Sequence, residues 1–253
     1  INIFSTTADQ PSNVEVCDSY ILPSLSLDNH YYTATGGPNG SGVELAAGTV
    51  ITSTQNIYVY KEALIRTSFS CSAENMFTVT INHTPVINPI ANVNACNSNE
   101  LPALTVGNYY TETNGGGTML TAGTELTTSQ LIYVYAETGT TPNCTDENSF
   151  TVTINPTPVA DAPTDVTACD SYVLPALTVG NYYTGAGGTG LMLNATDIIT
   201  TSQTLYVYAE TGTTPNCTDE NSFTITINTT PVADAPTDVT MCDSYVLPAL
   251  TVG

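Results

Sequence analysis

The run Ile132-Tyr-Val-Tyr-Ala-Glu-Thr-Gly-Thr-Thr-Pro-Asn-Cys-Thr-Asp-Glu-Asn-Ser-Phe-Thr-Val-Thr-Ile154 decides the fold. Its end, Phe150-Thr-Val-Thr-Ile154, alternates apolar and polar residues with period two, the pattern of a strand with one buried face. Its start, Ile132-Tyr-Val-Tyr135, is a second β-rich run. Phe77 to Ile81 and Phe223 to Ile227 repeat the first pattern; Ile57 to Tyr60 and Leu205 to Tyr208 repeat the second. Gly107-Asn108 is a turn signal before Tyr109-Tyr110, and a Gly-rich stretch follows at 115–117. No helical period of apolar residues runs longer than about two turns. Short strands separated by turn residues predict a β-sandwich.

Working outward, the chain repeats itself. Residues 133–151 and 206–224 are identical over nineteen positions. A second phrase recurs as Cys17-Asp-Ser-Tyr-Ile-Leu-Pro23, Cys96-Asn-Ser-Asn-Glu-Leu-Pro102, Cys169-Asp-Ser-Tyr-Val-Leu-Pro175 and Cys242-Asp-Ser-Tyr-Val-Leu-Pro248. The cysteines that open it are spaced by 79, 73 and 73 residues, and Cys71, Cys144 and Cys217 form a second series spaced by 73. One small domain per repeat fits that period. The expected boundaries are 1–83, 84–156 and 157–229, with the start of a fourth repeat at 230–253. The chain reads as a slice of a longer polypeptide, since it opens on Ile1 and stops within the phrase Leu247 to Gly253. Pro156 and Pro158 predict that it leaves each repeat extended, so that repeats sit end to end.

Charge narrows the partners. Two Lys+Arg stand against 23 Asp+Glu, a net charge of −21, yet 41% of the residues are hydrophobic, enough for packed cores. With Lys61 and Arg66 as its only cations, the chain cannot neutralise a phosphate backbone, so nucleic acid and anionic membranes are excluded. No stretch is long and apolar enough for direct membrane insertion. Lys–Asn cross-links of the kind found in some surface fibres need a lysine in every domain, and only the first repeat has one.

Two cysteines per repeat predict disulfides in an oxidising compartment. Pairing within repeats gives Cys17–Cys71, Cys96–Cys144 and Cys169–Cys217, each stapling a domain too small to be stable without help. Pairing across linkers gives Cys71–Cys96, Cys144–Cys169 and Cys217–Cys242, each over 25 residues. Within-repeat bonds are the expectation.

The quoted phrases resemble the repeats of very large surface proteins of Bacteroidetes, especially flavobacteria: the SprB-like, gliding-motility-associated, type IX secreted adhesins. The resemblance covers essentially all 253 residues, with the first repeat departing from it at 58–67. It implies an extracellular position on the bacterial surface and an adhesive or filamentous role.

Candidate chemistry is sparse. His30 and His83 do not recur in later repeats, so no repeated catalytic triad exists; adjacent carboxylates such as Asp146-Glu147 and Asp219-Glu220 point to opposite faces of a strand. No catalytic residue and no enzyme activity are expected. Calcium is the one cofactor the residues suggest, through Asp161, Asp165, Asp234 and Asp238 in the linkers; the exchange of Asp for Asn at the matching positions 13, 88 and 92 suits Asx-turns equally. If Ile132 and Val134 face the core, Tyr133 and Tyr135, with Tyr206 and Tyr208, form an outward ridge able to stack on sugars or other surfaces; the alternative is that the rings pack within the sandwich.

The reading is all-β: tandem immunoglobulin-like β-sandwich domains arranged end to end, serving as stalk and adhesive surface. Its expected partners are extracellular surfaces or polysaccharide, with lateral self-association between chains. The alternatives are a passive spacer for an enzyme or binding domain elsewhere in the protein, and a self-assembling filament.

Overall fold

The computed structural model describes residues 6–66 and 69–251. The ends of the expected outer repeats, at residues 1–5, Val252 and Gly253, lie outside the described residues. The fold is all-β, and the described residues contain no α-helix.

The first repeat contains β1 (Val14–Cys17), β2 (Tyr20–Ile21), β3 (Asn29–Tyr32), β4 (Glu44–Leu45), β5 (Val50–Ile51), β6 (Gln55–Arg66) and β7 (Phe69–Asn82). They form a five-stranded sheet in the order β1-β7-β6-β3-β4 and a two-stranded sheet of β2 and β5. Strand β1 runs parallel to β7, while β6 and β7 pair antiparallel. Period-two alternation puts Ile57, Val59, Phe77 and Val79 on the inner face. Tyr31, Leu22 and Ile51 close over them, so one core joins the two sheets.

The second repeat contains β8 (Val93–Cys96), β9 (Asn99–Glu100), β10 (Asn108–Glu112), β11 (Gly116–Leu120), β12 (Glu125–Leu126), β13 (Gln130–Glu137) and β14 (Thr145–Asn155). The third contains β15 (Val166–Cys169), β16 (Tyr172–Val173), β17 (Asn181–Gly185), β18 (Thr189–Leu193), β19 (Ile198–Ile199), β20 (Gln203–Glu210) and β21 (Thr218–Asn228). Their sheets are ordered β11-β10-β13-β14-β8 with β12-β9, and β15-β21-β20-β17-β18 with β16-β19. Leu174, Tyr182, Leu205, Val207, Phe223 and Ile225 build the third core as their counterparts build the first. Residues 229–251 carry no strand. In the first and third repeats the opening strand pairs parallel with the closing one.

The chain packs as two compact units. One extends to Val93 and takes in Glu100–Leu126 and Gln130–Val152; the other comprises Asn94–Asn99, Thr127–Ser129 and the chain from Thr153 onward.

The phrase that opens each repeat is the corner between its sheets. After Cys17, Cys96 and Cys169 the chain turns at Asp18, Asn97 and Asp170, with φ of 61°, 62° and 62°. Asp and Asn enter this left-handed region more readily than most residues. The next turn sinks Leu22, Leu101 and Leu174 into the cores, each all but fully buried. Asp18 then clamps the chain leaving the repeat: its carboxylate accepts from the Thr84 N–H at 2.8 Å and the Thr84 hydroxyl at 2.6 Å. Asp170 holds Thr230 in the same way, and Asn97 holds Thr157 through its amide.

Candidate functional site

The cysteines form a pairing that differs from both sequence alternatives. The structure bonds Cys17 to Cys144 and Cys96 to Cys217, with Cα–Cα distances of 5.7 and 5.6 Å. Cys71, Cys169 and Cys242 are free. The expected Cys17–Cys71, Cys96–Cys144 and Cys169–Cys217 bonds are therefore corrected, and so are the cross-linker pairs. The reason is strand length. In the third repeat Cys169 lies opposite Asn228, at the end of β21, whereas Cys217 immediately precedes β21. Eleven strand residues at about 3.3 Å each separate them by about 36 Å, far beyond disulfide reach. Cys17 lies opposite Asn82, eleven residues along β7 from Cys71, so the same argument holds there.

Each bond ties the first cysteine of one repeat to the second cysteine of the next. The donor is a built loop. Thr138 and Cys144 face each other, Thr138 N donating to the Cys144 carbonyl and Cys144 N donating to Thr138 Oγ1. Gly139 N donates to Asn143 Oδ1 at 2.9 Å, and Asn143 Nδ2 donates to Glu137 Oε2 at 2.6 Å. The loop before Cys217 repeats these bonds through Thr211, Gly212, Asn216 and Glu210. Cys144 and Cys217 are both buried. Their sulfurs lie 3.5 Å from the Asn82 carbonyl oxygen and 3.7 Å from that of Asn155; these are contacts, since a bridged sulfur has no proton to donate.

A second contact ties the opening segment of each later repeat to that repeat's own cysteine loop. Ile87 N donates to Asp146 Oδ2, and Ala160 N donates to Asp219 Oδ2, both at 2.8 Å. Ile87 and Ala160 are buried, and Ala160 belongs to the core of its own repeat, as the matching Ala8 belongs to the first. Asp146 and Asp219 thus act on the linker, while their neighbours Glu147 and Glu220 hold the N–H groups of Asn114 and Gly187. In the first repeat the described residues of β6 and β7 stay paired at this place, and Cys71 lies opposite Ala63.

Three of the four calcium candidates occupy backbone-capping positions, and the fourth, Asp238, is exposed. Asp161 accepts from Thr178 N and Asp165 from Thr224 N; Asp234 accepts from both the N–H and the hydroxyl of Thr251. The matching Asn13 and Asn92 accept from Thr78 N and Thr151 N at 2.9 and 2.8 Å, against 2.7 Å for Asp165. One acceptor oxygen is all that the position uses, which explains the exchange of Asp with Asn. Among the described residues no group of three or more His, Cys, Asp or Glu residues is placed to hold a metal ion.

Ile132 and Val134 are fully buried, which puts Tyr133 and Tyr135 on the outer face of the sheet. The two rings have different surroundings. Tyr135 meets Tyr110 edge-on with centroids 6.1 Å apart, and Tyr208 meets Tyr183 in the same way. A hairpin glycine covers each ring: a Cβ on Gly115 would lie 2.9 Å from Tyr135, and one on Gly188 would lie 2.8 Å from Tyr208. Both glycines also have positive φ, so the close approach and the turn demand the same residue. Tyr133 and Tyr206 stand beside these pairs in outer rows, Tyr110-Tyr133-Ser149 and Tyr183-Tyr206-Ser222. All four candidate tyrosines are half-buried.

No protein-family model matches the chain, and no curated protein does. Among solved structures it is similar to the protocadherin gammaB7 EC3-6 cis-dimer, with a TM-score of 0.32 at 13% identity over 88% of this chain and 76% of that one. It is also similar to human CDH23 EC21-23, with a TM-score of 0.34 at 11% identity over 85% of this chain and 100% of that one. Mouse cadherin-23 EC22-24 gives a TM-score of 0.25 at 12% identity over 87% and 96%. Likenesses at this level assign no family.

Proposed function

We propose that this chain is a load-bearing segment of a long extracellular protein of the bacterial surface, built from repeats at 1–83, 84–156 and 157–229 with a further one opening at 230–253. The observation that carries the reading is that both disulfides leave one repeat and close in the next. Bonds of this kind persist in oxidising compartments. A bridge that closes on a neighbour makes the junction, the weakest point of a tandem array, covalent twice over. That serves a molecule that transmits tension and has no use in shaping a catalytic cleft. The role is therefore stalk and adhesive surface, in line with the resemblance to SprB-like, type IX secreted gliding adhesins.

The outer rows holding Tyr133 and Tyr206 are the contact surface in this reading. Their half-exposed rings offer stacking area with a polar tip, suited to uncharged polysaccharide. The charge of −21 disfavours anionic ligands and keeps neighbouring chains apart at low salt. Lateral association is then favoured when salt or divalent ions screen that charge.

The test uses the native protein on whole cells of the bacterium that makes it. Cells are treated with protease and a membrane-impermeant thiol reagent, and released fragments are mapped without reduction. The expected result is release of these repeats with both cross-repeat bonds intact, and loss of cell attachment when Fab fragments cover the Tyr133 face. Repeats found only inside the cell, with free thiols, would overturn the reading.

A further inference from the structure

The two closed junctions share three parts: a first-series cysteine, the carbonyl of the residue ending the last strand, and a corner residue that clamps the chain leaving the repeat. The end of the third repeat presents the same parts. Cys169 is exposed at the end of β15, opposite Asn228, where Cys17 stands opposite Asn82. Asp170 clamps Thr230 as Asp18 clamps Thr84, so the receiving corner is already set.

We propose that this pole is a preformed acceptor whose occupant is the Glu210–Glu220 type of loop, carried by the repeat that Pro231–Thr251 begins. Cys169 would take a cysteine 121 residues downstream, the separation of Cys96 from Cys217. The two closed junctions carry the argument, because the same corner holds the same loop in both. The wider reading, that this is one step of a ladder continuing along an extracellular array, rests on the function proposed above.

Bond formation takes one proton and one electron from each thiol. The electron acceptor is a small-molecule disulfide of the glutathione type, which leaves as two thiols.

The test extends the full chain after Gly253 with a copy of residues 181–228, refolds it in a glutathione redox buffer and maps it without reduction. The expected result is Cys169 joined to the copy of Cys217, with Cys71 and Cys242 still alkylated. In the extended chain, Cys169→Ser should leave the copied cysteine open to alkylation. Cys169 left alkylatable or joined to Cys242, with Cys17–Cys144 and Cys96–Cys217 intact, sinks the proposal. That outcome says nothing against surface localisation, which the whole-cell experiment tests separately.

Discussion

Stretching the chain from its two ends reads the disulfide connectivity as a length. With both bonds closed, the shortest covalent route runs to Cys17, across to Cys144, back to Cys96, across to Cys217 and on to the end. It contains about 100 residue steps and saturates at about 340 Å, taking about 3.4 Å per step. Fully reduced, the same chain reaches about 860 Å. Cys17→Ser removes the first bond, and the route then follows the chain to Cys96 before crossing: about 130 steps, or about 440 Å. The decisive comparison is with Cys17→Ser/Cys144→Ser. In this structure both cysteines belong to one bond, so the double variant should extend no further than the single one. Bonds closed within repeats would make them members of two bonds, and the double variant would gain about 160 Å more. Optical-tweezers extension curves taken to saturation resolve that difference easily. A double variant longer than the single by that amount would refute the connectivity and the load-bearing argument with it.

Two further outcomes follow from single groups. The buried Tyr31 hydroxyl has no hydrogen-bond partner among the described residues, whereas Tyr109 and Tyr182 donate to the carbonyls of Pro102 and Pro175 at 3.1 and 3.3 Å. Tyr31→Phe should therefore be neutral or stabilising, while Tyr109→Phe and Tyr182→Phe each cost about 1 kcal/mol by denaturant midpoint; equal losses at all three sites would contradict this. The Thr230 hydroxyl and N–H hold the Asp170 carboxyl below the usual carboxylate range, and the Thr84 pair does the same for Asp18. A lowered folded pKa gives stability that is present above the unfolded value and lost as pH falls through the folded one. Asp18→Asn/Asp170→Asn, copying the arrangement at Asn97, should flatten the loss of thermal stability below about pH 4 relative to the parent. Parallel curves for variant and parent would show that these clamps are not linked to acid unfolding.

The strands were legible because their signal is local: the alternation in Phe150 to Ile154 names the buried face without help from the rest of the chain. The tyrosine ridge was half legible. Period two places Tyr133 and Tyr135 outward, but the cover over Tyr135 comes from a glycine twenty positions earlier, across a strand pairing. Connectivity was not legible at all. In an array of equal repeats, a rule joining each first cysteine to a second cysteine one repeat on leaves the same regular spacings as any other rule. Only the direction of β14 and β21, which carries the two cysteine series to opposite ends of a repeat, separates them. Asp146 and Asp219 read as members of acidic pairs, and their partners, the linker N–H groups of Ile87 and Ala160, leave no mark in composition.

The separations of 127 and 121 residues also set an order in time. A chain made from its N-terminus presents Cys17 long before Cys144 exists, and Cys144 well before Cys217. The loops that carry Cys144 and Cys217 are identical in sequence, so chemistry alone cannot tell Cys17 which to choose. Arrival can. Cys17 meets the nearer loop first, is consumed by it, and leaves the later loop for Cys96. If the bonds close as the chain enters the oxidising compartment N-terminus first, completion travels one repeat behind entry, and the last repeat to enter carries a thiol until its successor folds.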